Sequence, residues 1–122
     1  MSAWTEAMRV VVVVGFLTTF VPFSQAQTYP IRPINIVIPL AAGDSGDTAA
    51  RAMGEELSKI LKTSIVAINR PGASGVIATE SVVRAPRDGY TLLFTPNPPL
   101  TYRPGMEPQT VLYDPTKDLT PL

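Results

Sequence analysis

The chain's most regular stretch begins as a nearly unbroken apolar run, Ile34-Asn35-Ile36-Val37-Ile38-Pro39-Leu40. It then gives way to small and polar residues, Ala41-Ala42-Gly43-Asp44-Ser45-Gly46-Asp47. So continuous a run suits a central strand covered on both faces better than an edge strand with one wet face. Beyond the loop, Ala49, Ala50, Met53, Leu57, Ile60 and Leu61 recur at spacings of three and four, with Arg51, Glu55, Glu56, Lys59 and Lys62 on the other side. This predicts an amphipathic helix of about four turns, capped by Ser45 or Asp47 and closed by Lys59 and Lys62. A strand, small-residue loop and helix in that order carry backbone N–H groups and a positive helix end to the carboxyl edge of a sheet. The joint is therefore a candidate site for an anion.

The pattern repeats downstream. Ser64 to Ile68 is short, apolar and β-branched, so it reads as a second strand, and Asn69-Arg70-Pro71-Gly72-Ala73-Ser74-Gly75 is a turn-rich connection. Val76 to Ala85 predicts a weaker helix directing Ile77, Val82 and Val83 inward, and Pro86-Arg87-Asp88-Gly89 ends it. Tyr90 to Thr95 then reads as a third strand. The order is β-α-β-α-β, for which parallel strands and right-handed crossovers are the default. Past Thr95 the recurring prolines, from Pro96 to Pro121, leave little room for long regular elements.

Ahead of this domain lies Arg9, an apolar run over residues 10–21 and a small-residue ending, Ser24-Gln25-Ala26. That is a secretory signal pattern, predicting a leader over 1–26 and a mature chain over 27–122. The run contains Gly15, Thr18 and Thr19 and falls short of the roughly 20 apolar residues a bilayer core requires. The 122 residues hold no cysteine and no histidine, so disulfides, thiol nucleophiles, histidine triads and the usual zinc sites are excluded. Basic and acidic residues balance at 10 each, which gives nucleic acid no electrostatic footing.

The loop over 41–47 admits two readings. Gly43 and Gly46 can let backbone amides approach a ligand, or they can simply permit a tight turn. It matches neither the Walker loop nor the dinucleotide fingerprint. The loop over 69–75 reads as a rigid connection, with Arg70 as the one strong cation near the presumed ligand edge. Glu55 and Lys59 make an ordinary surface pair.

Five motifs in order, Tyr29-Pro30-Ile31-Arg32-Pro33-Ile34, Ile38-Pro39-Leu40-Ala41-Ala42-Gly43 with Asp47 and Ala50-Arg51, Asn69-Arg70-Pro71-Gly72-Ala73, Asp88-Gly89-Tyr90-Thr91-Leu92-Leu93 and Tyr113-Asp114-Pro115 with Lys117-Asp118, carry a family resemblance. The chain resembles the Bug, or TctC-like, family of tripartite tricarboxylate transporter solute receptors from Tyr29 to its last residue. The resemblance implies a partial Rossmann-like lobe of a type II periplasmic binding protein, here an incomplete N-terminal lobe. It also implies a periplasmic receptor, without catalysis or cofactor, that binds a small organic anion such as a di- or tricarboxylate and passes it to membrane permease subunits. The ligand-contacting positions carried over are Leu40, Ala42, Gly43, Asp44, Ser45 and Asp47 in the loop and Thr95 at the end of the third strand.

Three positions depart from the family pattern: Asp44 replaces a usual second glycine, Ile68 a common glutamate, and Gly46 an often hydroxylated residue. The acidic Asp44 would sit beside the anion. The competing expectation is a truncated product without transport activity, or a small exported interaction protein.

Overall fold

Strand β1 (Ile34–Ile38) runs between two parallel neighbours, β2 (Ile65–Asn69) on one side and β3 (Thr91–Leu93) on the other, in this computed structural model, which describes residues 29–122. The leader predicted over 1–26 lies outside the described residues. Ile34 pairs with Ile65 and Ile38 with Asn69, while Asn35 pairs with Thr91 and Val37 with Leu93. Ile34, Ile36, Val37 and Ile38 are all buried, as the continuous apolar run requires of a strand covered on both faces.

The two crossovers are helices α1 (Ser45–Leu61) and α2 (Val76–Val83), the second preceded by a single 3₁₀ turn over Ala73–Gly75. One crossover steps from β1 to β2 and the other returns past β1 to β3. With both right-handed, the helices cover opposite faces of the sheet.

Helix α1 rests on β1 and β2, where Ile36 and Ile38 meet Ala50, and Leu40, Ile65, Ala67, Leu92 and Phe94 pack around them. Fully burying a branched side chain of this size contributes roughly 1.5–3 kcal/mol. The helix is rotated relative to the face its large side chains predict. Asp47, Ala50 and Gly54 are its buried positions, whereas Met53 is 41% exposed and Ile60 73%. Gly54 fits this rotation, since a Cβ there would lie 3.1 Å from the Ile65 side chain, so a larger residue at this position would have to push that side chain aside.

Helix α2 corrects a second expectation, because it buries Val76, Ala78 and Thr79 and leaves Ile77 53% exposed. Its partners come from the proline-rich segment, which packs back over it through Val111 and Tyr113. The Tyr113 hydroxyl donates to the Pro99 carbonyl at 2.6 Å. That segment holds only two short helices, α3 (Tyr102–Met106) and α4 (Pro115–Asp118), in keeping with its prolines. No helix among the described residues is long and apolar enough to cross a membrane.

The amino ends of β1 and β3 are tied by aromatic contacts. Tyr29 meets Tyr90 edge-on with centroids 5.0 Å apart, its hydroxyl donates to the Gly89 carbonyl at 2.6 Å, and the Arg32 guanidinium lies 3.9 Å above the Tyr90 ring. The Ile31 N–H donates to the Tyr90 hydroxyl, and Arg32 pairs with Asp88 at 2.7 Å.

Candidate functional site

The first crossover carries the chain from β1 out to β2 and the second back past β1 to β3, so the carboxyl edge between β1 and β3 is where the strand order reverses, a topological switch point. Leu40 to Asp47 and Thr95 all lie at that edge, following β1 and β3 respectively. An Asp44 N–H to Ala41 carbonyl bond of 3.2 Å closes a turn whose third residue, Gly43, has φ +89°, a value suited to glycine. Ala41, Ala42, Gly43, Asp44 and Ser45 are exposed. A side chain at Gly46 would displace the end of the Leu40 side chain, which fills the space beside it.

Helix α1 starts at Ser45, with Asp44 as its N-cap. The Thr48 amide bonds the Asp44 carbonyl at 2.9 Å, so the amides of Ser45, Gly46 and Asp47 open the helix ahead of its carbonyl ladder. Ser45 is exposed and Gly46 half-buried, so their amides and the positive end of the helix dipole form an arrangement able to receive a carboxylate, while Asp47 is buried. The Asp44 side chain makes no capping bond, contrary to the usual habit of an N-cap aspartate. Its exposed carboxylate adds a negative charge to the rim.

Asp47 does not cap the helix; it sits inside the first turn, 3% exposed, turned beneath the loop. One carboxylate oxygen accepts from the Gly43 amide at 2.8 Å and Arg51 Nε at 3.0 Å, and the other from Asn69 Nδ2 at 2.8 Å. The Arg51 guanidinium foremost, then the Gly43 amide and Asn69, hold its pKa well below the ordinary carboxylate range. Asn69 also donates to the Leu40 carbonyl at 3.0 Å, and Arg51 Nη2 donates to the Asn69 amide oxygen at 2.8 Å. The sequence pattern placed Arg51 on the solvent face and Asn69 in a turn, so it missed both roles. Their signal was polar residues at a strand end and one helical turn beyond a loop aspartate.

Thr95 is half-buried, and its hydroxyl donates to the Pro96 carbonyl at 3.0 Å. Arg70 is exposed, with its amide bonded to the Ile38 carbonyl at 2.7 Å. Two open depressions, of about 390 and 470 Å³, lie away from the loop: one flanks α1 and β2 around Gly54 and Ile65, the other lies at the amino edge around Arg32 and Thr63. Among the described residues no cluster of acidic side chains is arranged for a metal ion.

A parallel sheet with helices on both faces and open amides at its switch point is one lobe of an open α/β binding fold. The sequence profile described as tripartite tricarboxylate transporter family receptor matches residues 49–122, and the chain belongs to that family of receptors. A UPF0065 protein of Bordetella bronchiseptica is 45% identical over 106 residues, covering 87% of this chain and 31% of the relative. The solved structure of MatC from Rhodopseudomonas palustris with bound malate matches at TM-score 0.71 and 34% identity, over 76% of this chain and 31% of that one. An R. palustris protein with adipate matches at TM-score 0.63 and 35% identity, over 72% of this chain and 29% of that one. The chain thus spans less than a third of the length of these relatives. Other similar solved structures are a periplasmic transporter and the periplasmic binding protein BugD.

Proposed function

We propose that this chain supplies one jaw of an exported receptor for a small organic anion, a di- or tricarboxylate, which it presents to the permease subunits of a tripartite transporter. The observation that carries the reading is the loop from Leu40 to Asp47, whose Ser45, Gly46 and Asp47 amides open a 17-residue helix at the switch point of the sheet. Related structures hold malate and adipate, and a carboxylate is the group such amides suit. Thr95 borders the same crevice from β3. Asp44 tunes the site, its carboxylate disfavouring a highly charged anion and favouring a solute with a compensating cation. No bond is made or broken, and the leader over 1–26 provides export.

Calorimetric titration of the mature chain, residues 27–122, with malate, adipate and citrate tests the reading. Saturable heat with any of them supports it, and no heat with all three removes ligand binding from this chain.

A second reading, a small exported product that contacts a partner without binding solute, is favoured by the apolar side chains left outside the core. Ile60 is 73% exposed, Leu112 74%, and Val66 43% on a strand with one unpaired edge. Concentration-dependent sedimentation separates the two, because a monomer that binds malate contradicts this alternative.

A further inference from the structure

Asp47, Arg51 and Asn69 are joined in a closed triangle, each side chain hydrogen-bonded to both of the others. All three corners are mounted on regular elements. Asn69 ends β2 opposite Ile38, and Asp47 and Arg51 lie one turn apart on α1. A pairing meant only to fasten helix to sheet would end there, yet two further bonds leave the triangle for the loop's main chain. Asn69 Nδ2 reaches the Leu40 carbonyl where the loop departs, and Asp47 reaches the Gly43 amide at its turn.

We propose that this triangle is a clasp that sets the shape of the β1–α1 loop, making Asp47, Arg51 and Asn69 positioning residues for the carboxylate site. The role in binding rests on the function proposed above, whereas the clasp itself rests on geometry. Binding groups must be held within about 0.5 Å of their working positions by a supporting layer, and a loop fixed beforehand loses less entropy when a ligand arrives. Cut from the clasp, residues 40–43 keep one loop hydrogen bond, from the Asp44 amide to the Ala41 carbonyl at 3.2 Å, while Asp44 stays tied to the helix through Thr48. The chemistry also explains the residue types. Three donors converge on Asp47, which only an ionised carboxylate can accept at both oxygens, and Asn69 must donate twice while accepting from Arg51. Asp47 therefore serves beneath the site, and the amides above it face the solute.

The test is residue-resolved amide hydrogen exchange on the full chain, wild type against Asn69→Ala. The clasp predicts at least tenfold faster exchange at Gly43, with the Ile36 and Val37 amides in β1 unchanged. Unchanged exchange at Gly43 overturns it, as does equal acceleration throughout β1, which marks a purely structural contact. Should Asn69→Ala fail to fold, Arg51→Met at a half-exposed position carries the same expectation and the same refutation. Malate titration forms a second arm: if the wild type binds, Asn69→Ala binds at least tenfold more weakly, and equal affinity overturns the positioning role. A wild type that binds none of malate, adipate and citrate defeats the receptor reading, while exchange at Gly43 still decides the clasp.

Discussion

Arg51 and Asn69 stand 18 positions apart in sequence, yet the guanidinium of one donates to the amide oxygen of the other at 2.8 Å. The contact joins the outer surface of α1 to the last residue of β2, so the helix cannot turn on the sheet without breaking it. It also keeps a half-exposed arginine, whose side chain is 49% accessible, aimed at a buried carboxylate.

That carboxylate makes the fold sensitive to acid. Asp47 binds a proton less readily folded than unfolded, foremost because of Arg51, and Asp114 does so foremost because of Lys117. Their stabilisation is complete above the ordinary aspartate value of 3.8 and is lost as pH falls below it. Chemical denaturation from pH 7 to pH 3 is expected to show falling stability, with a shallower fall in Asp47→Asn, which starts from a lower plateau. A parallel fall in the variant would contradict the assignment.

At the loop rim, Asp44→Gly is expected to strengthen malate binding. Like charges roughly 4 Å apart repel by about 1 kcal/mol in water, which corresponds to about fivefold in affinity. Calorimetry on both proteins at low salt measures it, and raising the ionic strength should shrink the difference.

How far the pattern of residues reveals this fold depends on what each position had to satisfy. The apolar run at Ile34–Ile38 reads correctly as a buried central strand, because a strand covered on both faces needs no alternation. The faces of α1 and α2 read less well. Periodicity ranks Ala50 as core correctly but adds Met53, Ile60 and Ile77, which are exposed, whereas contact distance selects Gly54 and Ala78. The loop after β1 is visible as a ligand-edge joint. The inward turn of Asp47 is not, since its partners Asn69 and Arg51 come together only once β2 lies beside β1.

Gly54→Val tests that close approach. The first added carbon already lies 3.1 Å from the Ile65 side chain, and two further methyl groups overpack the interface at a cost of about 1–3 kcal/mol. In a domain of this size that lowers the melting temperature by about 4–8 °C per kcal/mol, visible by circular dichroism. Ala in place of Val should cost less, because helix propensity offsets part of the crowding.

Two tyrosines at the amino edge should respond unequally. Tyr29→Phe removes an exposed hydroxyl bonded to the Gly89 carbonyl, a loss of about 0.5–1.5 kcal/mol. Tyr90→Ala removes a ring that is 8% exposed, together with its contacts to Tyr29, Arg32 and the Ile31 amide, and large aromatic truncations cost about 3–5 kcal/mol. Urea unfolding should therefore find Tyr29→Phe folded and Tyr90→Ala largely unfolded without denaturant.

These ties act diagonally on the central strand. Side chains fasten the chain entering β1 to the turn before β3, and the chain leaving β1 to the end of β2. Sliding β1 by one residue would send Ile36 and Ile38 to the opposite face and unseat Tyr29 and Leu40 together. The strand is pinned like a bolt held at both ends by different plates, and its register can slip only if the whole lobe comes apart.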